Sequence, residues 1–505
     1  MAENTRPPPT GPRAEAAIRI IWAAHILRYL GGDCYHPRSD PVTERSQALG
    51  IPQDQQDADS ESQGSDLDEN DALDADSERA ATLSGFETHE QRCKSKFLDA
   101  LAELLSPSKG WEYVTATSLQ EQNTVTITVA RNDGFGSRSD RSDGSRCRDL
   151  VDKLGAYLST DDTGSPGMGA LPDFEVAMIE HNSDRVQQWL DSIRRNVEGV
   201  HTAGNALRQV SPDGLESAQR QWDAFCSTVL EGEWSKGIHE TTVVSEAYSL
   251  CRLLHFRDFL NHRFGGERGE KLWRCVRLLA RPLSNCRLLQ SIAKQLPQFR
   301  YLQVRVLSAS PAMTTLDRRS RAVNLTTALH NLVGVRFKDL DSSAISKLQQ
   351  GFGAKFLEDC AKGRSFSQHA EIQLLQHHWS TATWPTLGYL GCSKKTCLMC
   401  EEFLSALDSP ISTRGRHGVC YPAWGVPKIT SSSVSLALQA LEMSLVSRLM
   451  NLLSQPTTQK ATRHNVSQST VVSSVPNTVD ELTKRKLHKE HAAEEESLRQ
   501  KHQIM

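Results

Sequence analysis

Hydrophobic residues recur at helical spacing in some parts of the chain and alternate with polar residues in others. Residues 14–30 carry apolar side chains near one helical face, which predicts an N-terminal helix that ends at Gly31. Strict alternation predicts half-buried strands at residues 124–130 and 301–307. A helix is predicted at 91–105, before the first strand, and between the two strands the spacing is mostly helical, with predicted helices at 174–198, 215–231, 242–262 and 269–281.

After residue 320, short helices alternate with short strands. The predicted helices span 322–332, 365–379 and 395–407, and the predicted strands span 387–391 and 417–421. Ser365 and Ser367 are both candidates for the N-cap of the second of these helices. Alternating strands and helices indicate an α/β layer, preceded by a mainly α-helical region.

Charge is distributed unevenly, and its distribution suggests domain limits. Residues 54–78 hold eleven Asp/Glu and no Lys/Arg, a composition that cannot bury enough apolar surface to fold. We therefore expect five segments, listed here in chain order. They are an N-terminal helix with flexible ends at 1–50, a disordered acidic linker at 51–88, a mainly helical region at 89–300, an α/β domain at 301–430, and a helical and flexible C-terminal tail at 431–505.

The composition of the whole chain indicates the cellular compartment and the partners that we expect for the protein. The twelve cysteines lack the regular spacing of a secreted disulfide framework, which favours an intracellular protein, either cytoplasmic or nuclear. No apolar run reaches about 18 residues, so we expect no membrane-spanning helix and no membrane partner. Protein partners would bind through the acidic linker and the C-terminal helix, and the eleven Lys/Arg among residues 251–300 mildly favour a nucleic acid ligand.

The most specific chemical signal is His369-Ala370-Glu371 followed by Cys397-Leu398-Met399-Cys400. One imidazole and two thiols form a three-ligand zinc set, and catalytic zinc takes three protein ligands and keeps its fourth position for water. His369 and Glu371 are two residues apart, so both can face one metal only where a helix begins. Cys397 and Cys400 are neighbours across one helical turn, at a helix N-terminus that favours thiolates.

The segments SQHAEIQLL and YLGCSKKTCLMC resemble the nucleic-acid and nucleotide deaminase superfamily. More narrowly they are similar to a deaminase-like family of fungal proteins and intracellular bacterial toxins, in which HAE precedes GCSKxxCxxC. The resemblance implies a cytidine-deaminase-like α/β/α sandwich with a mixed sheet, Zn²⁺ held by His369, Cys397 and Cys400, and Glu371 as proton shuttle. Thr396 departs from the superfamily, which usually has proline before the first ligand cysteine.

The resemblance leads to two functional hypotheses. The first is a zinc-dependent hydrolase that deaminates a nucleobase in a nucleotide or nucleic acid, acting on the C–N bond of a cyclic amidine. The alternative is an inactive, zinc-stabilised deaminase fold that binds protein or nucleic acid. Cys392 bears on this choice, because it is either a fourth ligand that closes the zinc shell or a support for the turn.

Candidate substrate contacts lie in two places. Arg416 and His417 follow the second zinc helix and are candidates for lining the substrate entrance. Arg274, Arg277 and Arg281 share one face of the predicted helix at 269–281 and are candidate phosphate contacts. The alternative for these three arginines is the solvated side of an ordinary amphipathic helix.

Overall fold

A computed structural model describes most of the chain between Pro12 and Ser454. The described residues are 12–30, 88–132, 134–135, 141–159, 171–202, 216–231, 238–308, 323–361, 368–409, 411–422, 424–427 and 431–454. The predicted acidic linker, apart from Thr88, and the end of the C-terminal tail lie outside these residues, so those two predictions are not addressed by the structure.

The described residues form fourteen α-helices and five β-strands, together with two short 3-10 helices. In chain order they are α1 (Pro12–Leu30), α2 (His89–Leu104), β1 (Thr115–Glu121), β2 (Val125–Arg131), α3 (Arg141–Ser159), α4 (Asp173–His181), α5 (Ser183–Thr202), α6 (Glu216–Glu231), α7 (Ile238–Cys251), α8 (Phe256–Phe264), α9 (Gly266–Gln295), β3 (Gln303–Val306), α10 (Leu325–Val333), α11 (Ser342–Ala361), α12 (Ala370–Ser380), β4 (Tyr389–Cys392), α13 (Leu398–Ser405), β5 (Ser412–Thr413) and α14 (Ser432–Ser454).

The chain divides into two compact units. The first unit contains α1, Asn132 and all elements from α10 to α14, including β4 and β5. The second unit contains α2 to α9 and β1 to β3. Each unit therefore contains segments that are distant in the sequence. Asn132, for example, belongs to the first unit, whereas strand β2 just before it belongs to the second.

In the first unit, α1 packs on α14, and both helices bury an apolar face. Ile20 and Leu27 of α1 and Leu441 and Leu445 of α14 are completely buried. An ion pair between the Arg19 guanidinium and a carboxylate of α14 lies at the edge of this contact, with an N–O distance of 2.6 Å. Burial of this kind stabilises a helix far more than its intrinsic propensity does. Helix α14 also contacts α13, while β4 and β5 pair in parallel.

In the second unit, the strands form a mixed arrangement. β1 and β2 are antiparallel, with Thr115 opposite Arg131 and Glu121 opposite Val125. β2 and β3 are parallel, with Thr126 aligned to Gln303. Helix α2 packs on β1 and on the thirty-residue helix α9, which contains Pro282 and forms the centre of the helical bundle.

The expected fold class is confirmed: the protein is α/β, with five strands of mixed direction, flanking helices and a helical region before the motif. The predicted N-terminal helix is present as α1, and the strands predicted at 124–130 and 301–307 are present as β2 and β3. The limits of the five predicted domains stay a prediction.

Several predicted elements differ from the structure for local physical reasons. The strand predicted at 417–421 is absent, because the backbone there bonds to residues 396–398 instead of a neighbouring strand. The helix predicted at 174–198 breaks at Asn182, whose buried side chain donates to the Leu104 carbonyl at 3.0 Å. The helix predicted at 242–262 breaks at His255, which takes a left-handed conformation with φ of 62°.

One described helix, α14, is long and apolar enough to cross a membrane by length and composition alone. One side of this helix is buried against other helices of the first unit. The absence of a membrane partner stays a prediction.

Candidate metal centre

Helix α12 begins at Ala370, five residues later than the sequence pattern predicts, and His369 occupies the N-cap position. Its backbone is extended, with φ of −62° and ψ of 151°, and its side chain makes no capping hydrogen bond. Ser365 and Ser367 are therefore not the N-cap, and both lie outside the described residues. The imidazole therefore does not cap its own helix, and its Nδ1 atom lies near the two thiols instead.

The first backbone N–H of this helix has no acceptor within the helix and bonds to a residue distant in the sequence. The Ala370 N–H donates to Oδ1 of Asn132 at 2.7 Å, and Asn132 is only 4% exposed. A buried amide without a partner would destabilise the helix start, so Asn132 fixes the position of the residues on either side of Ala370. These are His369 and Glu371.

The two thiols lie at the start of α13. Cys397 is the N-cap, and its sulfur accepts a hydrogen bond from the Cys400 N–H at 3.3 Å. The preceding residue, Thr396, donates its own N–H to the Gly415 carbonyl at 2.8 Å and bridges Arg416 in parallel. Proline has no N–H. Thr396 therefore forms a backbone hydrogen bond that the proline usual at this position of the superfamily could not form.

The donor atoms of both helix ends converge. Nδ1 of His369 lies 3.4 Å from Sγ of Cys397 and 3.4 Å from Sγ of Cys400, and all three atoms lie within 4.8 Å of one another. Tetrahedral zinc with Zn–N and Zn–S bonds of about 2.0 to 2.3 Å requires ligand atoms roughly 3.3 to 3.8 Å apart. The two nitrogen–sulfur distances fall in this range, so the group fits a zinc ion.

The charges of the two thiols also favour a cation. Burial acts to raise the pKa of Cys397, but the hydrogen bonds from Cys400 and His369 hold this pKa well below its ordinary value. Burial and the neighbouring Cys397 thiolate raise the pKa of Cys400 well above its ordinary value. Two buried thiols that oppose each other's ionisation are relieved by a divalent cation, which binds both as thiolates.

Cys400 has a second partner in Trp424. The indole Nε1–H donates to the Cys400 sulfur at 3.2 Å, and Trp424 is only 1% exposed. Such a bond to a ligand atom orients the ligand and tunes the charge on its sulfur. Trp424 is therefore a buried support of the thiol.

Glu371 lies in the first turn of α12 beside the donor group. It is 3% exposed, and its Oε2 atom lies 3.9 Å from the Cys400 sulfur. Burial raises the pKa of this carboxyl, and the charge of His369 opposes the rise. A buried carboxyl with a raised pKa accepts and releases protons nearer neutral pH than an exposed one does.

Cys392 is fully buried in β4, and its S–H points to the Leu390 carbonyl at 3.6 Å. Among the described residues, it is not a member of the group whose donor atoms lie within 4.8 Å of one another. Its position in the strand just before the turn fits the supporting role better than that of a fourth ligand.

The loop after α13 passes beside the donor group. The ring of Tyr421 contacts the ring of His369 at a centroid distance of 5.6 Å and the ring of His417 at 5.9 Å. Nδ1 of His417 accepts the Val419 N–H at 3.1 Å. Burial lowers the pKa of His417 to about 4, so its imidazole is neutral at pH 7 and carries its proton on Nε2.

The arginines named from the sequence are engaged in other contacts. Arg416 pairs with Glu401 at 3.1 Å. In the second unit, Arg277 lies over the Trp273 ring, and Arg281 is buried in an ion pair with Glu103 at 3.1 Å. A phosphate contact at Arg281 would break this buried pair. Arg274, half-buried on α9, is the third of the candidate phosphate contacts.

The sequence alone did not assign a contact with the donor group to Asn132, Tyr421 or Trp424. Asn132 follows a predicted strand by two residues, and a polar residue at a strand end is a weak signal without spatial context. Tyr421 and Trp424 lie within twenty-five residues of Cys400, but nothing in their spacing indicates contact with a ligand.

Comparison with known protein families identifies the same region of the chain. Residues 368–428 match the model of a deaminase-like family, OTT_1508_deam. No curated protein and no solved structure matches the chain. The matched segment begins one residue before His369 and ends four residues after Trp424, so it contains all three donor residues and Glu371. This segment of the chain is therefore assigned to the deaminase-like superfamily.

Proposed function

We propose that the protein is a zinc-dependent hydrolytic deaminase that converts an exocyclic amine of a nucleobase into a carbonyl. The observation that carries the proposal is the convergence of three donor atoms beside a buried carboxyl, Glu371. The group holds two thiols and an imidazole, a set that suits Zn²⁺ and leaves one tetrahedral position for a non-protein ligand. An intracellular location is part of this proposal, on the irregular cysteine spacing.

His369, Cys397 and Cys400 would hold the metal, supported by Asn132 and Trp424. When bound, Zn²⁺ lowers the pKa of water toward about 7 and so supplies a nucleophile at neutral pH. The oxygen of this water would bond to the amine-bearing carbon, and Glu371 would accept the proton that the water loses and deliver it to the ring nitrogen. The second proton of the water passes by the same carboxyl to the amine, which leaves as ammonia, and Glu371 returns to its starting state.

The proposal is tested with Glu371→Gln, which keeps the volume of the buried side chain but removes the proton acceptor. Purified protein is expected to hold about one zinc per chain in both forms. Ammonia release from a panel of nucleosides, nucleotides and short oligonucleotides is expected to fall by a factor of about 10² or more in the variant. Glu402→Gln is the matched control, because Glu402 lies on α13 but pairs with Arg448 at 2.7 Å.

The outcomes separate the two functional hypotheses. A Glu371→Gln protein that releases ammonia as fast as the parent contradicts the proposed role of the carboxyl. A parent protein that binds zinc and releases no ammonia from any member of the panel favours the inactive, zinc-stabilised module instead.

A further inference from the structure

Helix α1 brings a cation to the edge of the donor group. Arg28, in the last turn of α1, is exposed, and its Nη1–H donates to the Cys420 carbonyl at 3.1 Å. Its guanidinium carbon lies over the Tyr421 ring, 5.7 Å from the ring centroid. Since Tyr421 in turn contacts the ring of His369, the guanidinium lies two ring contacts from a zinc ligand.

The packing of α1 fixes this placement. Completely buried residues such as Ile26 and Leu27 lie just before Arg28, so the helix cannot rotate without exposing its apolar face. Arg19, which lies earlier in the same helix, is held by the ion pair with Glu442 and donates to the Leu332 carbonyl at 3.3 Å. The C-terminal turn of α1 therefore presents Arg28 at a defined position beside the loop that carries Tyr421.

The chemistry of this edge suits a phosphorylated nucleoside. A guanidinium carries five N–H donors in a planar fork, which matches the oxygens of a phosphate. Tyr421 and the neutral His417 add an aromatic ring and a neutral N–H beside the donor group, features that suit a base and its sugar. A nucleobase at the donor group would lie beside Tyr421, the ring over which the Arg28 guanidinium lies.

We propose that Arg28 binds the substrate phosphate, and that the protein therefore acts on nucleoside phosphates, either free or within a strand, in preference to nucleosides. This inference rests on the proposed function for the position of the base. It assigns to α1, which lies outside the segment matched by the deaminase-like family, a part in selecting the substrate.

The test is a binding measurement, so that it does not depend on turnover. The full chain with zinc bound and the Glu371→Gln substitution is titrated with the four common ribonucleosides, their 5′-monophosphates and short single strands of RNA and DNA. In this background we expect at least one phosphorylated ligand to bind more tightly than its nucleoside. Arg28→Gln is expected to weaken binding of that ligand about tenfold to a hundredfold and leave nucleoside binding unchanged.

Two further variants separate phosphate binding from a structural role. Arg28→Lys retains the charge but not the fork, so it is expected to restore part of the lost affinity. Arg252→Gln is the matched control, because Arg252 is also exposed and also lies 5.7 Å from the centroid of a tyrosine ring, Tyr248, in the second unit. The control is expected to bind like the parent.

Three results would overturn the inference. The first is equal binding of nucleosides and their phosphates by the protein with Arg28. The second is an equal loss of affinity for both ligand types in Arg28→Gln, which would show that Arg28 only holds the loop. The third is no binding of any phosphorylated ligand. Tighter binding of strands than of monophosphates would identify a polynucleotide as the source of the phosphate, and the reverse would identify a free nucleotide. Because ammonia release is measured separately, a failed deamination assay does not decide this question.

Discussion

At the scale of single residues, the donor group depends on neighbours that do not themselves bind metal. Trp424 donates its indole N–H to the Cys400 sulfur in a fully buried position. Trp424→Phe keeps an aromatic side chain but removes the indole N–H together with part of the ring volume, so we expect zinc affinity to fall by a factor of about 10 to 100. Competition with a chromophoric chelator measures the change.

A second tryptophan serves as the control for this prediction. Trp379 lies at the far end of α12, where its ring contacts Trp384 at a centroid distance of 5.2 Å. Trp379→Phe is expected to keep the zinc affinity of the parent. If Trp424→Phe also binds zinc as tightly as the parent, the indole bond to the sulfur has no part in holding the metal.

Residue types and spacing predict the chemical identity of the site but not its supports. The donor types of His369, Cys397 and Cys400 are explicit in the sequence, since few other patterns combine an imidazole and two thiols at this spacing. The supports come from residues whose contacts form only when the chain folds. Asn132 is 238 residues from its partner Ala370, a separation over which no sequence periodicity operates.

At the scale of elements, the start of α12 is the part of the fold on which the site depends most. Its first amide is held by Asn132 at 2.7 Å. Asn132→Ala removes the acceptor, and we expect the free energy of unfolding of the first unit to fall by about 1 kcal/mol, as for the loss of a helix cap. Urea unfolding measures this change, and the zinc affinity is expected to fall with it because His369 loses its fixed position.

The control for this element is Asn132→Asp, which retains a side-chain oxygen as acceptor and places a negative charge at a helix N-terminus. This variant is expected to keep more of the stability and the zinc affinity than Asn132→Ala. An alanine variant as stable as the parent would show that the helix start is fixed by other contacts.

Helices and strands could be predicted from the sequence where the spacing of apolar residues is regular over many positions. Helix α1 and strand β2 are found where their apolar patterns predict them. Strand β2 is buried on both faces, however, with only Thr126 partly exposed, so the prediction of a half-buried strand was wrong about its burial. The strand predicted at 417–421 is absent. Tyr421 contacts the ring of His369, and the His417 N–H donates to the Thr396 carbonyl at 3.2 Å rather than to a neighbouring strand. Residues that pack around a site can show the same alternation of apolar and polar residues in the sequence as residues of a strand.

At the scale of the whole molecule, the pH dependence of stability is expected to reflect a buried histidine of the second unit. His181 is 5% exposed, and within the part of the chain that the structure describes neither ring nitrogen has a hydrogen-bond partner. Burial, together with the positive charges of Arg131 and Arg146, lowers its pKa from 6.5 to about 3. The folded protein therefore holds this imidazole neutral over a range of pH in which the unfolded chain protonates it.

This difference fixes the sign of the effect. As pH falls below about 6.5, the unfolded chain binds a proton that the folded protein does not bind, so folding loses stability until the pH approaches about 3. The loss from this one group is at most about 1.4 kcal/mol for each pH unit. His181→Leu removes the titrating group and fills the position with an apolar side chain. We expect the free energy of unfolding of this variant to change less between pH 7 and pH 5 than that of the parent.

Urea titrations of the parent and the variant at several pH values measure the two slopes. His330→Leu is the control, because His330 is exposed and its replacement leaves His181 in place. If His181→Leu keeps the full slope of the parent, protonation of other groups governs acid unfolding. A smaller slope in His181→Leu alone would identify the helical unit, which lies outside the segment matched by the deaminase-like family, as the part of the molecule whose stability is limited by acid.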